Sequence, residues 1–245
     1  MTLPRRVEAV VFDMDGLLID SETMFRDVMM EVSRRRGVHL PLEVFLRMVG
    51  LQQDGSRQVA LDHFGPDFDY ASWTEEAWGL AHARIEVGVA LKTGVIELLD
   101  FLEARNIPRA VATSSGHVNV QRQLGPKGIL PRFQAIVAAG DYARSKPNPD
   151  PFLTAAERLG VRPEACLALE DSHNGVRAAH AAGMMTIMVP DLLEATEEMR
   201  ILCVAVTETL HGARDLIALS LGQAGLNSPG GSRSWTGTET PPRSR

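Results

Sequence analysis

This chain of 245 residues has few cysteines, no excess of basic residues and no long apolar segment. No apolar run approaches the ~20 residues that a helix needs to cross a bilayer. Acidic residues outnumber basic ones by 31 to 25, and the basic residues are scattered rather than clustered. Neither nucleic acid nor a membrane is therefore expected as a partner.

The two cysteines, Cys166 and Cys203, lie in apolar runs of the kind that form strands, as ordinary buried thiols do. The N-terminal segment has two arginines before an apolar run, which is a feature of secretory signals. However, Asp13 and Asp15 interrupt this run and no small-residue cleavage site follows. We expect this segment to be the first core strand of a cytoplasmic, monomeric protein.

Short apolar runs alternate with helical patterns over most of the chain. The runs are rich in β-branched residues or alanine and are bounded by turn-forming or charged residues: EAVVFDM, PRAVATS, QAIVAAG, CLALED, TIMVPD and CVAVTE. Nearly continuous apolar strands that alternate with helices indicate a parallel sheet covered on both faces. The predicted fold is therefore α/β, a doubly wound, Rossmann-like parallel sheet.

One long segment interrupts this alternation. Residues 21–88 contain no run typical of a strand, and their apolar residues recur with the spacing of one helix face, for example at Phe25, Val28, Met29 and Val32. Glycine and proline divide the segment into several helical patterns. We predict an α-helical cap subdomain inserted into the sheet domain.

The predicted core domain then consists of residues 1–20 and 89–224, on either side of the cap. Trp73 and Trp78 are expected to lie in the core of the cap. Residues 225–245 are mostly Gly, Ser, Thr, Pro and Arg, which cannot supply a hydrophobic core. We predict that this last segment is a disordered tail.

Polar side chains follow the first four predicted strands. They are Asp13 and Asp15 after the first, Thr113 and Ser114 after the second, Lys146 after the third, and Glu170 and Asp171 after the fourth. Ligands of open α/β sheets bind at the carboxyl ends of the strands, so these groups are expected to converge. Carboxylates so close together would take up protons unless a cation lay among them. Oxygen ligands without nearby histidine or cysteine suit Mg²⁺, and the lysine and hydroxyls suit a phosphate group.

Four motifs, DMDGLLID, VATSS, SKPNP and LEDSHNG, resemble in this order the motifs of the haloacid dehalogenase superfamily of phosphohydrolases. The helical insert is similar to the cap of the branch that contains β-phosphoglucomutases, sugar-phosphate phosphatases and pseudouridine-5'-phosphatases. The resemblance covers roughly residues 8–220. It implies the same α/β core and a phosphorylated small molecule as substrate.

The resemblance also implies a role for each site residue. Asp13 would attack phosphorus and form an aspartyl-phosphate, and Asp15 would act as the general acid and base. The Mg²⁺ ligands would be Asp13, Asp171 with Glu170 beside it, and the carbonyl of Asp15. The phosphate-binding residues would be Thr113, Ser114 and Lys146.

Two positions bear on the reaction type. β-Phosphoglucomutases carry a histidine where Phe25 stands and an arginine where Gln53 stands, although Arg57 or Lys92 could compensate. The resemblance therefore favours a Mg²⁺-dependent phosphatase acting on a small phosphorylated metabolite, a sugar phosphate or a nucleoside-type monophosphate. The alternatives are a phosphosugar mutase and a non-catalytic phosphate-binding or interaction module. His173, in the fourth motif, is expected to be incidental.

Overall fold

The computed structural model describes residues 3–51 and 53–224. Its strands are β1 (Ala9–Phe12), β2 (Arg109–Gly116), β3 (Ala135–Ala139), β4 (Cys166–Glu170), β5 (Met185–Met188) and β6 (Ala205–Val206). Its α-helices are α1 (Ser21–Arg35), α2 (Leu42–Met48), α3 (Gln53–Phe64), α4 (Tyr70–Val87), α5 (Val95–Glu103), α6 (His117–Leu124), α7 (Asp150–Leu159), α8 (His173–Ala181), α9 (Glu197–Leu202) and α10 (Leu210–Ala224). The residues of the predicted tail lie outside the described ranges.

The strands form one parallel sheet in the order β3-β2-β1-β4-β5-β6. Residue Val11 of β1 pairs with Ala110 of β2 on one side and with Ala168 of β4 on the other. All six predicted strands are present, and the predicted α/β, doubly wound fold is confirmed. The central position of β1 places the aspartates that follow it in the middle of the carboxyl edge.

The two faces of the sheet belong to different hydrophobic clusters because successive side chains of a strand point to opposite faces. Val10 and Phe12 of β1 pack on the side of α5, α6 and α10, whereas Ala9 and Val11 pack on the side of α7 and α8. Every residue of β1 and β4 is buried. This burial explains why the strands are almost continuously apolar in the sequence.

Helices α1 to α4 follow β1 and have a hydrophobic cluster of their own, which includes Val28, Phe45 and Trp73. The described part of residues 21–88 contains helices and turns but no strand, as expected. Trp73 is fully buried, and its indole Nε1 donates a hydrogen bond of 3.0 Å to Ser33 Oγ. This buried donor and acceptor satisfy each other within the cluster.

The expectation that Trp78 lies in the same core is wrong. Its side chain is 53% exposed, and its ring packs against Phe25 with a centroid distance of 4.7 Å. Trp78 follows Trp73 by five positions, which corresponds to a rotation of about 140° around helix α4. The two rings therefore face different sides of the helix.

Other expectations about single elements had mixed outcomes. Helices α6 and α9, of eight and six residues, are too short to show a clear helical periodicity in the sequence. Cys166 is buried as expected, but Cys203 is only partly buried. Over the described ranges, no helix combines the length and hydropathy that crossing a membrane requires.

Candidate active site

The turn after β1 carries the first two site residues. The amide of Asp13 donates to the carbonyl of Leu169 at 3.0 Å, so the strand pairing continues to this residue. Gly16 then adopts φ 81°, a conformation that favours glycine. A Cβ atom at Gly16 would lie 2.2 Å from Asp171 Oδ2. Only glycine therefore allows this turn to pass so close to the fourth motif.

Lys146 lies beside the Asp13 carboxylate and is buried. Its Nζ donates to Asp13 Oδ1, to Glu170 Oε1 at 2.6 Å and to the carbonyl of Ala112 at 3.0 Å. Burial alone would lower the pKa of Lys146, but Asp13 and Glu170 hold it above its usual value. The lysine is therefore a fixed positive charge between two carboxylates.

Glu170 is fully buried and makes contacts with protein donors at both of its oxygens. Besides the Lys146 contact, its Oε2 accepts hydrogen bonds from the amides of Asp171 and Ser172 at 3.0 and 3.1 Å, and from Ser172 Oγ at 3.0 Å. A Cβ atom at Gly175 would lie 1.8 Å from Glu170 Oε1. Close packing and hydrogen bonds thus fix this side chain between Lys146 and the start of α8.

Asp13, Glu170 and Asp171 form a buried carboxylate cluster whose ligand atoms lie within 4.8 Å of one another. Burial raises the pKa of Asp13 to about 8; Lys146 lowers it, and Glu170 and Asp15 raise it. Burial, followed by the charges of Glu170 and Asp13, raises the pKa of Asp171 well above its usual range. One lysine cannot neutralise three carboxylates, so the cluster suits a cation. All its ligand atoms are oxygens, which fits Mg²⁺.

The Asp15 side chain is directed away from this cluster, toward hydroxyl groups. Its Oδ1 accepts from Ser21 Oγ at 3.0 Å, and its Oδ2 accepts from Ser115 Oγ at 2.8 Å and from Thr113 Oγ1 at 3.5 Å. Neither Ser21 nor Ser115 is among the site residues predicted from the sequence. Both serines lie in or directly beside the motifs, close in sequence to the aspartates or to Thr113, and this is the sequence feature that could have indicated them.

The last part of β2 contains two of the predicted phosphate-binding residues, Thr113 and Ser114. They lie within the strand rather than after it as expected, in the stretch between Ala112 and Gly116 where the pairing with β3 is irregular. Thr113 is buried, and its Oγ1 accepts from the amide of Ser115 at 3.0 Å. The carbonyl of Thr113 accepts from Tyr142 Oη at 3.0 Å, which connects this end of β2 to the segment after β3. Ser114 is exposed. Ser114 also lines the space above the sheet edge.

A cavity of about 600 Å³ lies above the carboxyl edge of the sheet. All the predicted site residues except Glu170 line it. Helix α1 contributes Glu22, and the segment between α2 and α3 contributes Val49, Gly50 and Leu51. The structure therefore brings the strand ends and the first helices of the insert together around one cavity.

Comparison with known proteins agrees with this arrangement. The family model described as haloacid dehalogenase-like hydrolase matches residues 10–189. The chain belongs to this hydrolase family. A "Probable pseudouridine-5'-phosphatase" of Drosophila melanogaster is 35% identical over 196 residues, which cover 76% of this chain and 83% of that relative. Hexitol phosphatase B of Escherichia coli is 32% identical over 205 residues, covering 78% and 86%.

Solved structures show the same fold. A haloacid dehalogenase family hydrolase from Deinococcus radiodurans with bound phosphate and sodium has a TM-score of 0.74 and 29% identity. The match covers 90% of this chain and 97% of the other. The predicted superfamily is confirmed, and relatives named as phosphatases indicate that this hydrolase acts on phosphomonoesters.

Several residues of the hydrolase reach the cavity although sequence reasoning gave them no role. His173, expected to be incidental, lines it, and so does Arg177, which forms an ion pair with Glu198 at 2.6 Å. Asn174 Nδ2 donates to the carbonyl of Gly50 at 3.1 Å, which connects α8 to the insert. These side chains come from the first turns of α8, directly after the fourth motif.

Glu22 is an acidic residue of the insert, in the first turn of α1. It lines the cavity, and burial, followed by the charges of Asp15 and Asp191, raises its pKa to about 7. The two cations that could replace the mutase arginine lie elsewhere. Lys92 Nζ donates to Asp191 at 2.6 Å and to Asp20 at 3.5 Å, and Arg57 is exposed on α3; neither lines the cavity.

Proposed function

We propose that this hydrolase is a Mg²⁺-dependent phosphatase that acts on a small phosphorylated metabolite through an aspartyl-phosphate on Asp13. The main support is the position of the Asp13 carboxylate, which faces the cavity between Lys146 and Asp171. A carboxylate held at a strand end by a buried cation has the position that a nucleophile needs. The phosphatase names of the relatives agree with this proposal.

Three groups would hold Mg²⁺: the side chains of Asp13 and Asp171 and the backbone carbonyl of Asp15. When bound, the ion would reduce the repulsion between the Asp13 carboxylate and the phosphoryl oxygens. Glu170 would support the site without binding the ion directly, because its oxygens already accept hydrogen bonds from Lys146 and the loop. The proposed ligands are therefore fewer than those expected from the sequence, because the Glu170 side chain is not among them.

The reaction would proceed in two displacements at phosphorus. Asp13 attacks, the bond from phosphorus to the ester oxygen breaks, and Asp15 gives its proton to the leaving oxygen. Asp15 then removes a proton from the water that hydrolyses the aspartyl-phosphate. Hydrogen bonds from Ser21 and Ser115 hold the Asp15 carboxylate toward the cavity. The Thr113 hydroxyl and the Ser114 amide would bind phosphoryl oxygens, and Lys146 would offset their charge.

Residues 21–88 would act as a cap that selects the substrate. Among the described residues, the insert lines the cavity with Glu22, Val49, Gly50 and Leu51, and none of these is a cation. A phosphosugar mutase must bind a second phosphate of its bisphosphate intermediate. This wall therefore favours hydrolysis of a monophosphate, either a sugar phosphate or a nucleoside-type monophosphate.

A phosphatase screen over sugar and nucleoside monophosphates, with and without Mg²⁺, tests this proposal. We expect release of inorganic phosphate that requires Mg²⁺. Asp13→Asn should keep the fold, lose turnover and form no adduct with fluoroberyllate, whereas Asp171→Asn should weaken the response to Mg²⁺. Substantial hydrolysis by Asp13→Asn would contradict the covalent mechanism, and an unchanged Mg²⁺ titration would remove Asp171 from the ligands.

A further inference from the structure

Asp191 has one carboxylate oxygen without a hydrogen-bond partner. The residue follows β5 at the carboxyl edge of the sheet, and its side chain is 7% exposed. Its Oδ1 accepts from Lys92 Nζ at 2.6 Å. Its Oδ2 is buried and has no hydrogen-bond partner within residues 3–51 and 53–224. A buried carboxylate oxygen left in this state costs free energy, so a ligand or a water is expected beside it.

The free oxygen of Asp191 lies close to the Asp171 carboxylate. A Cβ atom at Gly16 would lie 3.2 Å from Asp191 Oδ2 and 2.2 Å from Asp171 Oδ2. Both oxygens therefore face the same side of the Gly16 backbone. Asp191 thus places a further carboxylate beside Asp171, in addition to Asp13 and Glu170. Its position is fixed by Lys92 rather than by a residue of the catalytic motifs.

We propose that Asp191 belongs to the Mg²⁺ centre as an outer carboxylate, whose Oδ2 accepts a hydrogen bond from water on the bound ion. This inference rests on the proposed Mg²⁺-dependent function. Mg²⁺ keeps several of its waters in protein sites, and carboxylates that hold such waters orient the ligand sphere. Lys92 has the complementary role, because its hydrogen bond to Oδ1 fixes the side chain and leaves Oδ2 free beside Asp171.

The test measures metal binding without substrate. Mg²⁺ is titrated into the full-length, metal-free protein by calorimetry, and Mn²⁺ binding is followed by electron paramagnetic resonance. Asp191→Asn keeps an oxygen that can accept from Lys92 but removes the charge beside Asp171. We expect its Kd for Mg²⁺ to rise by about tenfold to a hundredfold, the range typical of lost outer-shell partners. The melting temperature of the metal-free variant should not fall.

Asp20→Asn is the matched control. Asp20 also contacts Lys92, at 3.5 Å, and its loss removes the same charge from the other side of that lysine. The Kd of this variant for Mg²⁺ should stay within about twofold of the wild-type value, because solvent and salt screen the effect of a charge that is removed away from the site. Asp191→Ser, which removes the carboxylate without introducing an amide, should weaken Mg²⁺ binding as Asp191→Asn does.

Two results would overturn the inference while leaving the proposed function intact: wild-type Mg²⁺ affinity in both Asp191 variants, or an equal loss in Asp20→Asn. The second result would assign the effect to the general field of the acidic residues. If the wild-type protein does not bind Mg²⁺ in this titration, the proposed function itself fails. The two failures are therefore distinguishable in one set of measurements.

Discussion

Glu22→Gln is expected to stabilise the metal-free protein at neutral pH but not at acidic pH. Burial, followed by the charges of Asp15 and Asp191, raises the pKa of Glu22 from 4.5 to about 7. Below pH 4.5 the residue is protonated in the folded and the unfolded chain. Between pH 4.5 and about 7 only the unfolded chain releases the proton, so stability falls as pH rises. Glutamine carries no titrating proton and avoids this loss.

The size of the effect follows from the pKa difference. Each pKa unit corresponds to about 1.4 kcal/mol, so the full penalty above pH 7 is about 3 kcal/mol. Glu22 lies on the cavity wall and is only partly buried, so solvent screens part of this penalty. We expect a gain of about 1–2 kcal/mol in the free energy of unfolding at pH 8, and a much smaller gain at pH 5.

Urea unfolding of both proteins in EDTA, from pH 5 to pH 8, measures this difference. The control is Glu75→Gln, at an exposed position of α4, which should change stability by less than about 0.5 kcal/mol at every pH. Added Mg²⁺ should reduce the gain, because a cation at the carboxylate cluster favours the charged form of Glu22. A gain of equal size at pH 5 and pH 8 would refute the electrostatic reasoning.

Three further predictions concern packing, reaction type and the C-terminal segment. Gly175→Ala would place a Cβ 1.8 Å from Glu170 Oε1. In thermal unfolding it should lose about 3 kcal/mol or more of stability, and it should also lose activity. The control is Gly79→Ala, whose Cβ would have no atom within 4 Å and which should be neutral or stabilising in the same measurement. With β-glucose 1-phosphate and a bisphosphate activator, the main product should be inorganic phosphate. Glucose 6-phosphate as the main product would show that the protein is a mutase although Phe25 replaces the mutase histidine. Deletion of residues 226–245, outside the described ranges, should leave kcat/KM within about twofold, and a clear fall in melting temperature would show that this segment packs on the rest of the chain.

The sheet, and the convergence of polar residues at its carboxyl edge, could be predicted because both depend on local patterns. Each strand is a short apolar run, and the parallel topology fixes the edge at which its last residues lie. This reasoning brings Asp13, Thr113 and Asp171 to one edge of the sheet, and the structure places all three around one cavity. The order of the motifs along the chain added the remaining constraint.

The parts that could not be predicted depend on tertiary packing. Lys92 reaches Asp191 across 99 positions of sequence, and no local pattern indicates such a pair. The exposure of Trp78 depends on which face of α4 meets the other helices, and two tryptophans five residues apart do not reveal it. Glu170 belongs to the carboxylate cluster with Asp13 and Asp171, but its sequence position next to Asp171 does not reveal that its oxygens also accept hydrogen bonds from Lys146 and a backbone amide.

The different surroundings of Asp13 and Asp15 explain how two identical side chains, two positions apart, can have different roles. The turn at Gly16 leaves Asp13 among carboxylates and a buried lysine, where a cation is needed to balance the charge. It directs Asp15 toward the hydroxyls of Ser21 and Ser115, which donate hydrogen bonds without adding charge. A nucleophile must stay ionised, whereas a general acid and base must gain and lose a proton in each cycle. Under the proposed mechanism, this division assigns nucleophilic attack to Asp13 and proton transfer to Asp15.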